Sequence, residues 1–209
     1  MRQQRSSHLG VRDLSRDGGV TLGDLQFDVT QDLGAIQGGT SSELTQTYAI
    51  KNLAASTQLL VLVRHVDGDL QFDGSIAEGG GASADGSVLY EFDASDDPAS
   101  RSTFVGISGA LGSNEVPNRW TIKPYDYRPT IEGEGAIPAT DNGVVHNDTN
   151  NDRIVGTPFD VTVSQQWNAM VAAGATQTFT TRTSFRPAGS YPKPQRGRRQ
   201  PHDARGHTR

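Results

Sequence analysis

In the stretch Leu25-Gln26-Phe27-Asp28-Val29-Thr30-Gln31-Asp32-Leu33, the apolar residues Leu25, Phe27, Val29 and Leu33 alternate with Gln26, Asp28, Thr30 and Asp32. Successive side chains of an extended chain point to opposite sides, so this pattern predicts a half-buried strand with one wet face. The same reading extends outward from it. Residues 44–51 put Leu44, Tyr48 and Ile50 on one face and Thr45, Thr47 and Lys51 on the other. Residues 176–185 put Phe179 and Phe185 on one face with Thr181 and Thr183 between them, leaving Thr178, Thr180 and Arg182 outward. Shorter β-rich runs lie at 88–92, 104–107, 120–123, 144–145 and 159–163. Leu59-Leu60-Val61-Leu62-Val63 is apolar on both faces and predicts a central strand covered on both sides.

Turn signals separate these runs. Gly38-Gly39 ends the first, Gly79-Gly80-Gly81 falls in an expected loop at 67–85, and Ala173-Gly174-Ala175 predicts a hairpin turn. Trp167, Met170 and Val171 stand at helical spacing, so 164–173 fits one or two helical turns, and a continued strand fits it equally. Little else is helical. The expectation is an all-β antiparallel β-sandwich of about eight to ten short strands, with little or no helix.

Charge divides the 209 residues into three parts. Residues 18–185 hold 8 basic and 21 acidic residues, a net of −13, while residues 186–209 carry seven basic groups and one acid, and residues 1–17 carry four Arg and two Asp. The predicted domain is therefore residues 20–186, between a disordered N-terminal segment at 1–19 and a disordered basic tail at 187–209. The tail has no aliphatic residue larger than Ala and three Pro beyond residue 188, so it lacks the apolar area that would offset ordering. It reads either as an inert appendage or as a functional arm.

The acidic middle argues against a nucleic-acid-binding core, since phosphate contacts need clustered Lys and Arg; only the basic tail suits such a partner. No apolar run reaches the roughly 18 residues of a membrane span. The absence of cysteine excludes disulfides, thiolate zinc sites and a thiol nucleophile. Residues 1–19 carry charge and no apolar core, so they are not a secretory signal, and an extracellular placement expects an internal module or a truncated start.

Oxygen-rich loops are the strongest chemical signal. The string His65-Val66-Asp67-Gly68-Asp69-Leu70-Gln71-Phe72-Asp73-Gly74 gathers Asp67, Asp69 and Asp73 around glycine turns. In Asn147-Asp148-Thr149-Asn150-Asn151-Asp152-Arg153-Ile154-Val155, the residues Asp148, Asn150 and Asp152 occupy positions one, three and five of an EF-hand-like or dockerin-like calcium loop. Hard cations take six to eight oxygens, which alternating Asp and Asn supply. Two positions depart from that pattern: Arg153 stands where glycine is wanted, and Phe159 holds position twelve, with Asp160 one residue late. The competing reading for both loops is a solvated turn, which Asp, Asn and Gly favour for backbone reasons.

A third constellation is Glu91-Phe92-Asp93-Ala94-Ser95-Asp96. It resembles the E-x-D-x-x-E catalytic strand of laminarinase-like, concanavalin-type β-sandwich glycosidases. That resemblance implies Glu91 as nucleophile and the third acid, here Asp96 in place of Glu, as acid/base. The competing reading is an edge strand with solvated acids. Trp120 and Trp167 are expected in the core, and Tyr125 with Tyr127 are the aromatics in a loop-like context suited to stacking on a sugar. His65 and His146 are assigned no metal or triad.

The segments TYAIKNLAAS, LVRHVDGDLQFDGS, VLYEFDASDD, TFVGISG and FDVTVSQQWNAMVAAGATQTFTTRTSF together resemble a β-sandwich module of bacterial extracellular, calcium-rich surface or haemolysin-type proteins, over about residues 20–186. The resemblance implies a non-catalytic, extracellular or cell-surface structural or adhesion module. Its acidic loop positions would be Asp67, Asp69, Asp73, Asp148, Asn150 and Asp152, its cofactor calcium, and its partner a cell-surface protein or polysaccharide. The alternatives are a β-sandwich glycoside hydrolase or carbohydrate-binding module, and a capsid-like sandwich whose basic tail binds nucleic acid.

Overall fold

The computed structural model describes residues 18–22, 24–36, 41–68, 77–93, 103–109 and 114–187, and these form an all-β structure. The strands are β1 (Gly18–Leu22), β2 (Leu25–Ile36), β3 (Ser41–Asn52), β4 (Gln58–Asp67), β5 (Glu78–Ala82), β6 (Val88–Asp93), β7 (Thr103–Gly109), β8 (Arg119–Pro124), β9 (Val144–Val145), β10 (Val161–Val171) and β11 (Thr176–Pro187). One α-helix, α1 (Arg128–Glu134), sits between two 3-10 turns in the excursion from β8 to β9. The strands form a seven-stranded sheet in the order β1-β2-β3-β11-β7-β6-β5 and a four-stranded sheet in the order β4-β10-β8-β9. All pairings are antiparallel except β8 with β9, which is parallel. No described helix is long and apolar enough to cross a membrane.

The expected alternation holds where one face is wet. In β2, Val29 is buried and Leu25 and Phe27 pack on the core, while Asp28, Thr30 and Asp32 are exposed. In β11, Phe179, Thr181 and Thr183 are buried. The strands run longer than expected, up to 12 residues in β2, β3 and β11.

Three expectations need correction, and one open reading is decided. β4 is at one end of the four-stranded sheet rather than central, and its outward Leu59 is 60% exposed. The glycines 79–81, read as loop, form β5: an ideal Cβ on Gly79 would lie 2.3 Å from Phe92 Cζ and one on Gly81 2.2 Å from the Tyr90 hydroxyl. Those two rings lie over the glycines and replace the side chains the strand lacks, as aromatic rings do for strand glycines elsewhere. Of the two readings of 164–173, the continued strand holds, as β10 runs on to Val171. The turn at 172–175 is not a hairpin, because β10 and β11 belong to different sheets; it carries the chain across the sandwich. Asn52 pins that crossing, its backbone donating to the Ala175 carbonyl and its Nδ2 to the Val171 carbonyl, both at 2.9 Å.

Both sheets contribute to two apolar clusters. One joins Leu89 and Ile107 to Trp120, Ile122, Val145, Val155, Val161 and Val163; the other joins Ile50 and Phe179 to Leu60, Trp167 and Val171. Both tryptophans are thus core residues. Polar side chains separate the clusters: Arg64 and Gln165 are register partners on β4 and β10, and Thr181 and Gln46 are partners on β11 and β3. Arg64 crosses the gap, donating from Nη1 to the Arg182 carbonyl at 2.9 Å and from Nη2 to the Thr183 hydroxyl.

The outer face of β10 is covered as well. Thr162, Ser164 and Gln166 are fully buried beneath the excursion at 125–143, whose Ile137 amide donates to Gln166 Oε1 at 2.6 Å. Lys123 Nζ and the Tyr127 hydroxyl both donate to the Asp141 carboxylate, at 2.8 and 2.7 Å, and tie the excursion down. These two bonds hold Asp141 below the usual carboxylate range.

Two glycines at positive φ test the packing. Gly86 (φ 70°) lies against Trp120, where an added Cβ would fall 1.9 Å from Cδ1, whereas Gly174 (φ 73°) faces open space. Gly86→Ala is expected to cost about 3 kcal/mol, strain plus overpacking, and Gly174→Ala only about 1 kcal/mol of strain. Urea denaturation of the two variants measures the difference.

Candidate functional site

The loop at 147–156 is built between the two sheets. On its N-terminal side, Val145 pairs with Ile122 of β8 and the His146 amide donates to the Ile122 carbonyl. On its C-terminal side, the Val155 amide donates to the Gly80 carbonyl at 2.9 Å and the Arg153 carbonyl accepts from Ala82 at 3.0 Å, so it is fastened to β5. Val155, at position eight of the loop, is buried in the first apolar cluster.

Within the loop the backbone wraps the Asp148 carboxyl, and the Asn150 and Asp152 side chains meet each other. Asp148 Oδ1 accepts from the amides of Asn150 (3.3 Å) and Asp152 (3.2 Å), and Oδ2 accepts from the amide of Arg153 (3.0 Å). Asn150 Oδ1 accepts from the Asp152 amide and its Nδ2 donates to Asp152 Oδ2 at 3.1 Å. Asp152 Oδ1 accepts from Ile154 at 3.0 Å. The chain therefore curls round the half-buried Asp148 carboxyl, with Asn150 and Asp152 exposed at the surface.

The first departure from the calcium-loop pattern leaves a mark on the backbone. Arg153 has φ 65°, the left-handed conformation for which glycine is the usual residue. The turn is made nonetheless, with Arg153 in it. Asn147 (φ 59°) and Asn151 (φ 58°) share the conformation, which Asn tolerates better. The second departure is also explained: Phe159 packs on the first apolar cluster and meets the His146 ring edge-on at 5.0 Å, so position twelve serves the core.

Oxygen chemistry at this loop suits a hard cation. Asp148 and Asp152 supply charge and Asn150 an amide oxygen, in the alternation such ions need. Among the described residues no group of three or more His, Cys, Asp or Glu is arranged to hold a metal, so this set rests on two carboxylates and an amide.

Of the other predicted residues, those that are described are not brought into such an arrangement. Asp67 ends β4 and is exposed, and Asp69 and Asp73 lie outside the described residues. Glu91 is 0% exposed and faces the interior between Gly80 of β5 and Val105 of β7. It is neither a solvated edge residue nor a carboxylate displayed in an open cleft. Asp93 is the last residue of β6, and Asp96 lies outside the described residues. Tyr125 is exposed but Tyr127 is buried, so the two rings do not form one stacking platform.

Two polar groupings have no signal in the sequence. His65 Nδ1 lies 2.8 Å from the hydroxyl of Ser164, the residue opposite it on β10. Burial, and then the Arg128 charge, bring the His65 pKa down to about 4, so the ring is neutral at pH 7. Ser164 is fully buried, which makes the pair a packed contact without access for a substrate. The second grouping is Glu91 with Glu78, two buried acids on adjacent strands. No sequence pattern announces Glu78, since its strand is made of glycines.

Neither protein-family models nor characterised proteins give a match to this chain. The site is thus defined by its own geometry.

Replacing Arg153 by Gly is expected to stabilise the protein by up to about 1 kcal/mol, the left-handed strain relieved less the entropy glycine loses on folding. Equilibrium denaturation of the Arg153→Gly variant checks the sign.

Proposed function

We propose that this chain is a non-catalytic β-sandwich module of the extracellular or cell-surface kind, whose 148–152 loop binds calcium and presents a rigid surface to a cell-surface protein or polysaccharide. The observation that carries the proposal is the wrapping of the Asn150, Asp152 and Arg153 amides round the Asp148 carboxyl, with the Asn150 and Asp152 side chains in contact. Asp148, Asn150, Asp152 and the Ile154 carbonyl would hold the ion, which supplies charge neutralisation and rigidity. With only two carboxylates and a neighbouring Arg153, affinity in the range of about 10⁻⁴–10⁻³ M, that of extracellular calcium modules, is expected.

The net charge of −13 over residues 18–185 supports the reading, since a bound cation relieves self-repulsion. The fold supports a structural role, as the predicted catalytic carboxyl Glu91 is enclosed by both sheets.

Thermal melting with and without calcium tests the proposal. At about tenfold excess over the dissociation constant, calcium should add about 1.4 kcal/mol and raise the melting temperature by about 3–5 °C. Asp152→Asn, which keeps the Ile154 bond and removes a charge, should abolish most of that rise. An unchanged melting temperature in millimolar calcium sinks the calcium assignment.

A further inference from the structure

Glu91 is the one described carboxyl that is wholly enclosed with no group at full hydrogen-bonding geometry to either oxygen. Its surroundings are hostile to charge. From β5 it meets Gly80 directly, with Glu78 two residues along the same strand. Glu78 is itself buried, with its Oε2 accepting from the Val161 amide at 3.1 Å. From β7 it meets the apolar Val105, and the facing β10 contributes Val161 and Val163 to the same cluster. The charged groups that bear on it are Glu78 and, from the end of β4, Asp67; both are acids. The amides of Gly68 and Val163 favour the ionised form only in part, and burial outweighs them, pushing the carboxyl well above its usual range. An ionised carboxylate there would be an unpaired buried charge, which costs several kcal/mol unless the group neutralises or reaches water.

The strand beyond Glu91 at that end of the sheet is short and rich in glycine. β5 lies at one end of the seven-stranded order and has five residues, three of them glycines. Besides β6, it is held by two isolated bridges, Glu78 to Phe159 and Gly81 to Ile154, and by the Glu78–Val161 bond.

We propose that Glu91 is carried as the neutral acid in the closed fold, and that its ionisation opens the β5 corner as pH rises. The closed corner holds a proton that the open one releases. The stability this proton confers is therefore complete below about pH 4, where a solvated carboxyl is also protonated, and is lost as pH climbs through the higher folded value. Across that window the open-to-closed ratio grows about tenfold per pH unit.

Two measurements on the full chain test this. Infrared spectra near neutral pH should show the carbonyl stretch of a protonated carboxyl, missing in Glu91→Gln. Amide exchange at Glu78 and Ala82 should accelerate with pH faster in the wild type than in Glu91→Gln, whose neutral amide mimics the closed acid. Equal pH dependence in the two proteins overturns the proposal. So does the absence of the infrared band, and if chelation then also destabilises the protein, a cation and not a proton occupies the corner. The infrared band is read on the wild type, so it decides the matter even if the variant does not fold.

Discussion

Strand β10 is the constraint on which the sandwich depends. Its odd-numbered residues Val161, Val163, Trp167 and Val171 enter both apolar clusters, and its even-numbered Thr162, Ser164 and Gln166 are buried on the other side. A strand covered on both faces cannot slip by one residue, because a slip would exchange the two sets and bury polar groups among valines. The polar face is acceptable only because it finds partners: Ile137 of the excursion at 125–143 for Gln166, and His65 of β4 for Ser164. The excursion in turn stays down through Asp141, shared by Lys123 and Tyr127. Coverage ends at residue 168; beyond it Met170 and its partner Leu59 are 68% and 60% exposed.

The interior is divided, and the division is polar. Arg64 and Gln165 stand at the same level of the four-stranded sheet, between Leu62 and Val66 on one strand and Val163 and Trp167 on the other. Arg64 reaches the facing sheet, and Gln165 Nε2 reaches the Gly86 carbonyl at 2.7 Å in the β5–β6 turn. Each is a long polar side chain that fixes one sheet's position over the other through directional bonds, where apolar contacts alone leave sliding cheap.

Local patterns were legible in proportion to how local their causes are. Strands β2, β3 and β11 are readable because one face meets water and alternation follows. The 148–152 loop is readable because its hydrogen bonds span at most five residues. By contrast, β5 is a strand because Tyr90 and Phe92, some ten residues away, lie over its glycines, and no pattern within Gly79-Gly80-Gly81 carries that. The apolar run in β4 suggested a central strand; its inward Leu60 and Leu62 do pack in the core, yet the sheet ends there. Glu91 shows the limit most sharply. Alternation places it on one face of a strand, but whether that face meets water or another sheet is decided by β10, seventy residues downstream.

The loop at 147–156 begins on the four-stranded sheet through Val145 and ends on the seven-stranded sheet through its bonds to Gly80 and Ala82. It therefore bridges the open side of the sandwich like a clasp. Separating the sheets along that side strains the curl around Asp148, so the short hydrogen bonds of one small loop couple two sheets that share no strand pairing.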